Sequence, residues 1–214
     1  MPRLDQLRVL LPFFAKWLLL PIFFGAGHGI AVADYVSAEK LLPDSTCLYI
    51  SVPDAQDFVN SFARTDLGQL TSDPVMKPFA EEMANELRSR LSETQLRLGL
   101  KWEDLQAVAA GEICLAQMQP GNEKGAHATA LIVNVTGRQK AVTKLLTKIK
   151  GTMAQRKATA SQVEITNHQA TKYVLPKKPT RPKAHEALIV VDGPQLVICS
   201  HQDTLIEIMT HRDN

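Results

Sequence analysis

Cysteine is scarce here: three thiols in 214 residues, with no C-x-x-C among them. That excludes a disulfide-dense mini-scaffold and leaves a thioredoxin-like redox role without support. Catalytic signatures are missing as well. There is no G-x-S-x-G elbow, no H-E-x-x-H pair and no phosphate-binding loop. An excess of one charge is also lacking, since 24 Lys and Arg stand against 22 Asp and Glu. Hydrophobic residues make up 45% and charged residues 21%, which is ordinary globular usage. A disordered, collagen-like or multi-span membrane chain is thereby excluded.

What is present begins with a leader. Residues 1–33 read as an export signal. Arg3, Arg8 and Lys16 supply the positive end. Trp17–Phe24 is the apolar stretch, and Ala31-Val32-Ala33 is a small-x-small cleavage site just before Asp34. The alternative is a short retained anchor. Trp17–Ala33 is broken by Pro21, three glycines and His28, whereas a spanning helix needs about 20 predominantly apolar residues. Cleavage is therefore expected. It leaves 34–214 as one α+β domain, expected to lie in the periplasm, the cell envelope or outside the cell.

Cys47, Cys114 and Cys199 each sit in or beside an apolar, strand-like run. They read as small buried thiols, with a single Cys47–Cys114 bridge as the alternative.

The mature part repeats a small unit. Cys47–Val52, Ala130–Val135 and Gln195–Cys199 are short, β-rich apolar runs. Each precedes a capping residue: Asp54, Thr136 or Ser200. Asp57, Gln139 and Asp203 follow three positions later. Apolar residues then recur at helical spacing: Phe58, Val59 and Phe62; Val142, Leu145, Leu146 and Ile149; Leu205, Ile206 and Met209. Further strands are expected at 112–118, 128–135, 162–166, 171–175 and 187–191. Turn residues at Pro120-Gly121-Asn122, Asn167-His168 and Asp192-Gly193-Pro194 make hairpins of them. A long helix is expected over 77–98, with Met76, Phe79, Met83, Leu87 and Leu91 as its buried stripe. The fold class is α+β: a mainly antiparallel sheet of six or seven strands with helices mostly on one face. The ending at His211–Asn214, just where the third helix closes, fits a shortened part of a longer repeat-built protein.

Leu41–Thr46, the strand Leu48–Val52, Thr65–Leu70 and Asp73–Phe79 together carry a resemblance. They look like the opening of a family of exported bacterial proteins that contain a domain of unknown function. Members begin with a signal peptide, a leucine-proline-acid entry, a strand and a helix pair, and are usually much longer. The resemblance covers 40–150 well and 151–212 loosely. It implies export and a shared fold. It implies no activity, and it carries no catalytic residue across.

Candidate chemistry is thin. Asp203, Glu207 and His211 share one helix face, but such a face is ordinarily solvated and nothing completes a metal shell. Glu103-Asp104 opens a short helix and reads as a capping pair. Asn134-Val135-Thr136 matches a glycosylation acceptor but falls in an expected buried strand. No catalytic residue, cofactor site or metal site is assigned.

Charge layout says more. Residues 34–112 carry 14 acidic and 7 basic side chains, whereas 138–183 carry 12 basic residues and only Glu164 as acid. Lys140, Lys144 and Lys148 fall on one helix face. Lys177, Lys178, Arg181 and Lys183 alternate with Pro176, Pro179 and Pro182, as in an extended polyproline II loop. Either these blocks neutralise the acidic ones, or this basic face meets an anionic envelope polymer or acidic protein. The leading expectation is a non-enzymatic binding or scaffolding domain. A periplasmic hydrolase or carbohydrate-active enzyme with an unrecognised site is the alternative. Nucleic-acid binding through the basic face is a third reading, but only if the N-terminus is no signal. Apart from Tyr173 no aromatic residue accompanies that face, so no stacking platform is indicated.

Overall fold

The computed structural model describes residues 34–79, 81–82, 98–121, 126–177 and 185–214. The expected leader at 1–33 lies outside them. So does most of the expected 77–98 helix, including Met83, Leu87 and Leu91. Residues 77–79 and 81–82 are helical, and Leu98, at the far end of the expected helix, is irregular and buried.

In chain order the elements are α1 (Ala38–Leu41), β1 (Thr46–Val52), α2 (Ala55–Ala63), α3 (Asp66–Ser72), α4 (Trp102–Val108), β2 (Ile113–Met118), β3 (Ala128–Asn134), α5 (Gln139–Gln155), β4 (Thr159–Ile165), β5 (His168–Leu175), β6 (His185–Asp192), β7 (Gln195–Cys199) and α6 (Gln202–Asp213). The strands form one antiparallel sheet in the order β1-β2-β3-β7-β6-β5-β4. The α+β class and the three hairpins β2–β3, β4–β5 and β6–β7 are as the turn residues require. Gly193, at φ +53°, supplies the left-handed residue of the β6–β7 turn.

One connection organises the rest. β3 lies third in the sheet and β4 seventh, so the chain must cross four strand spacings, about 19 Å. It does so as α5, whose 17 residues reach about 25 Å at 1.5 Å per residue. Val142, Leu145, Ile149 and Met153 point down from it at spacings of three and four. They meet Leu131 and Val133 of β3, Leu196 and Ile198 of β7 and Ile189 of β6.

The helices do not gather on one face. α4 and α5 cover one side, while α1 and α6 cover the other through Leu41, Leu205, Ile208 and Met209. Those four pack with Cys114, Ala116, Ile132, Leu188, Val197 and Cys199, the alternate residues of the same strands. The physical reason is in the strands. β3 and β7 are apolar at successive positions and buried at nearly all of them, so both faces need a cover.

Two expected caps are also replaced. The Thr136 hydroxyl donates to Asn134 Oδ1 at 2.7 Å, and Gly137 at φ +70° separates this turn from α5, whose N-cap is Arg138. Ser200 prolongs the β3–β7 pairing instead. Its N–H donates to the Thr129 carbonyl at 3.0 Å, its hydroxyl accepts from the Thr129 N–H at 2.9 Å, and α6 starts after His201. Only Asp54 caps as its spacing suggests, accepting from the Asp57 N–H at 3.0 Å.

Candidate functional site

The basic face is assembled by α5. With Val142, Leu145 and Ile149 fixed in the core, the helix period turns Lys140, Lys144 and Lys148 outward. Lys150 is exposed as well, and α5 contains no acidic residue. Lys140 and Lys144 make no ion pair among the described residues. Lys148 does: its Nζ lies 2.5 Å from Asp104 Oδ2 at the start of α4. Asp104 also accepts from the Lys101 N–H at 2.8 Å. Partial burial works to raise the Asp104 pKa, but the hydrogen bonds and charges of Lys148 and Lys101 outweigh it and hold the carboxyl below its ordinary value. The capping residue Asp104 thus doubles as the clamp between α4 and α5. Lys177 is exposed at the end of β5. Lys178, Arg181 and Lys183 lie outside the described residues.

Among the described residues no group of three His, Cys, Asp or Glu is placed to hold a metal ion. His211, on the face shared with Asp203 and Glu207, has its Nδ1 3.2 Å from the Leu41 carbonyl and so belongs to the α1–α6 contact. The three thiols are free: Cys114 and Cys199 are buried and Cys47 is exposed.

A second surface was not legible in the sequence. β1 is an edge strand, and its large apolar side chains are open to solvent: Leu48 at 57%, Tyr49 at 46% and Ile50 at 62% exposure. Register places Leu48 and Ile50 opposite Gln117 and Leu115, on the α4–α5 side, and Tyr49 opposite Ala116 on the other. The α4–α5 face of this strand is therefore apolar and largely exposed, and Tyr49 is half exposed on the other. Past its end, Phe58 of α2 is 45% exposed and Phe79 is 57% exposed, so neither is the core anchor that its helical spacing suggests. Phe58 stacks on half-buried Phe62 instead, with ring centroids 5.9 Å apart. At the start of β1 an open cleft of about 520 Å³ is lined by Glu39, Leu42, Asp44, Cys47, Leu48 and Tyr49, among others.

Behind β1, Glu112 gathers the N-terminal arm. It accepts from the Tyr35 hydroxyl at 2.7 Å and from the Ala38 N–H at 3.0 Å, and it binds the Ser51 hydroxyl of β1. Gln195, almost wholly buried at the start of β7, donates to the Val36 carbonyl at 2.7 Å. These ties position Glu39 and Asp44 beside the strand.

No family model matches this chain, nor does any curated protein or any solved structure.

Proposed function

We propose that this chain is an exported, non-enzymatic binding or scaffolding domain of a bacterial envelope, and that the outer face of α5 takes an anionic partner. The leader pattern at 1–33 and the resemblance of the LLPDST and TDLGQL segments support export. Among the described residues no helix is long and apolar enough to cross a membrane. The observation that carries the binding reading is the acid-free row Lys140–Lys144, held outward by a helix whose other side is core. Lys148 is drawn into the Asp104 pair and contributes less. An envelope polymer or an acidic protein has the chemistry this row recognises.

The test is retention on immobilised polyglutamate. Lys140→Ser, Lys144→Ser and Lys177→Ser combined should weaken retention while leaving the fold intact, because exposed charges add only about 0–1 kcal/mol per pair. Attraction should fade as the Debye length falls from about 10 Å at 0.1 M to about 3 Å at 1 M salt. Unchanged retention of the triple variant at low salt would remove the basic row from the function. Protein recovered from its host should begin at Asp34 and lie outside the cytoplasm.

A further inference from the structure

The two edges of the sheet are built differently. β4 exposes Thr159, Ala160, Ser161, Gln162 and Glu164, a small and polar row ending in a charge. Such an edge discourages pairing with another chain. β1 has the opposite composition: TCLYISV contains no charged residue, and its central side chains are apolar and exposed. Among the described residues it pairs only with β2, so alternate N–H and C=O groups along its outer side face away from the sheet. One sheet therefore carries one blunted edge and one open, adhesive edge.

The chain flanking the open edge is mainly acidic, with Lys40 beside Glu39 as the basic exception. From Leu41 to Ala63 there is no Lys, Arg or His, but there are Asp44, Asp54 and Asp57. Glu39 and Asp44 line the cleft at its start, and no basic residue lines it. Asp54 and Asp57 follow its end, past Pro53. An apolar strand between acidic ends fits a strand with the same apolar alternation and basic ends.

We infer that β1 takes up an extended, cationic polypeptide segment of a partner protein as an eighth strand of the sheet. Backbone groups of the incoming segment satisfy the open side of β1. Its alternating apolar side chains cover Leu48 and Ile50 on one face and Tyr49 on the other, and its Lys or Arg ends meet the acidic groups. Charge argues against a second copy of this chain as the occupant. A two-fold edge pairing would bring the acidic residues that flank β1, Asp44 and Asp54, towards those of the other copy, and like charges repel. This surface is separate from the α5 row, so either assignment stands or falls without the other.

The experiment is fluorescence anisotropy of the labelled peptide KKVTVTVKK titrated with the full-length chain. Comparators are EEVTVTVEE, which reverses the charge, and KKVTPTVKK, whose proline removes a ladder donor. Saturable binding of the cationic peptide is expected, with both comparators weaker by about tenfold or more. Leu48→Lys and Ile50→Lys should each abolish binding, and Glu39→Gln with Asp44→Asn should weaken it and flatten its salt dependence. Both lysine substitutions fall on exposed side chains, and circular dichroism verifies the fold. If either variant fails to fold, the proline comparator decides the role of backbone pairing. Three results would overturn the inference: no saturable binding of KKVTVTVKK, equal binding of the acidic and cationic peptides, or binding unaffected by the proline. A concentration-dependent dimer that Ile50→Lys disperses would also overturn it, because the occupant would then be a second copy.

Discussion

The Tyr35 hydroxyl donates to Glu112 Oε2 at 2.7 Å across 77 residues of chain. This bond fastens the start of the described chain behind the open edge strand. Burial comes first, then the hydrogen bond and negative charge of Glu112, in pushing the Tyr35 hydroxyl well above its ordinary pKa. Glu112→Ala strands three donors at once, those of Tyr35, Ala38 and Ser51. We expect a loss of about 3 kcal/mol in urea unfolding, since each unsatisfied half-buried donor costs about 1–3 kcal/mol. Hydrogen exchange at the Ala38 amide should accelerate before global unfolding. Exchange unchanged from the parent would mean that Gln195 and the α1–α6 packing hold the arm without Glu112.

Burial sorts the thiols. Cys114 and Cys199 lie wholly inside the α1–α6 face of the sheet, and burial pushes both up to about 12. A thiol that stays protonated and covered does not attack disulfides. An aromatic disulfide reagent at pH 8 should therefore titrate Cys47 rapidly in the native protein and the other two only in denaturant. Fast modification of all three without denaturant would contradict the packing.

The same shifts set an alkaline limit. A thiol raised from 9.0 to about 12 in the fold contributes stability that is complete below pH 9 and is lost as pH rises from 9 towards 12. In that window the unfolded chain releases protons that the folded chain keeps. Each such group removes up to about 1.4 kcal/mol per pH unit, and Tyr35 acts in the same direction from about pH 10 upward. The urea midpoint should fall between pH 9 and 11, and less steeply in Cys114→Ala/Cys199→Ala than in the parent. A flat profile in the parent would exclude the buried-thiol origin.

Strand positions were readable because apolar runs such as Ala128–Asn134 and Gln195–Cys199 end at turn residues. The number of helical layers was readable in principle from the same runs, since strands apolar at successive positions need cover on both sides. The site was harder. Leu48, Tyr49 and Ile50 look like any central strand in one dimension, and only the order of pairing reveals that β1 is an edge. Phe58 and Phe79 show helical amphipathicity, but periodicity does not say whether anything lies opposite. Lys148 belongs to a regular basic row, yet its partner Asp104 is 44 positions away and shows only its capping role in the sequence.

Backbone strain at the β4–β5 turn yields another prediction. Thr166 sits at φ +55°, a left-handed conformation that costs an L-residue about 1–2 kcal/mol. A β-branched residue is among the least suited to it. Thr166→Gly removes that cost but makes the unfolded chain more flexible, which returns about 0.4–1 kcal/mol. The net gain should be about 0.5–1 kcal/mol, raising Tm by about 2 °C in a chain of this size. A lower Tm would mean that Thr166 makes compensating contacts.

The α5 helix separates core energy from surface charge, so two substitutions one turn apart should differ several-fold in cost. Leu145 is 4% exposed and packs on the sheet with Val142 and Ile149. Leu145→Ala loses its transfer free energy and leaves a cavity, about 2–5 kcal/mol. Lys148 is partly exposed on the outer side, 2.5 Å from Asp104. Water and salt screen that pair, so Lys148→Ala should cost only about 0–1 kcal/mol. A double-mutant cycle with Asp104→Ala isolates the pair, and Asp104→Ala alone should cost more because the Lys101 N–H also loses its acceptor. Protonation acts in the same direction. Because the Asp104 pKa is lowered in the fold, its contribution is present above the ordinary value of 3.8 and is lost as pH falls below it. The coupling between Lys148 and Asp104 should therefore shrink as pH falls below 3.8 while the Leu145→Ala penalty persists. A coupling that survived acid would show that the two side chains interact through packing of their stems rather than through charge.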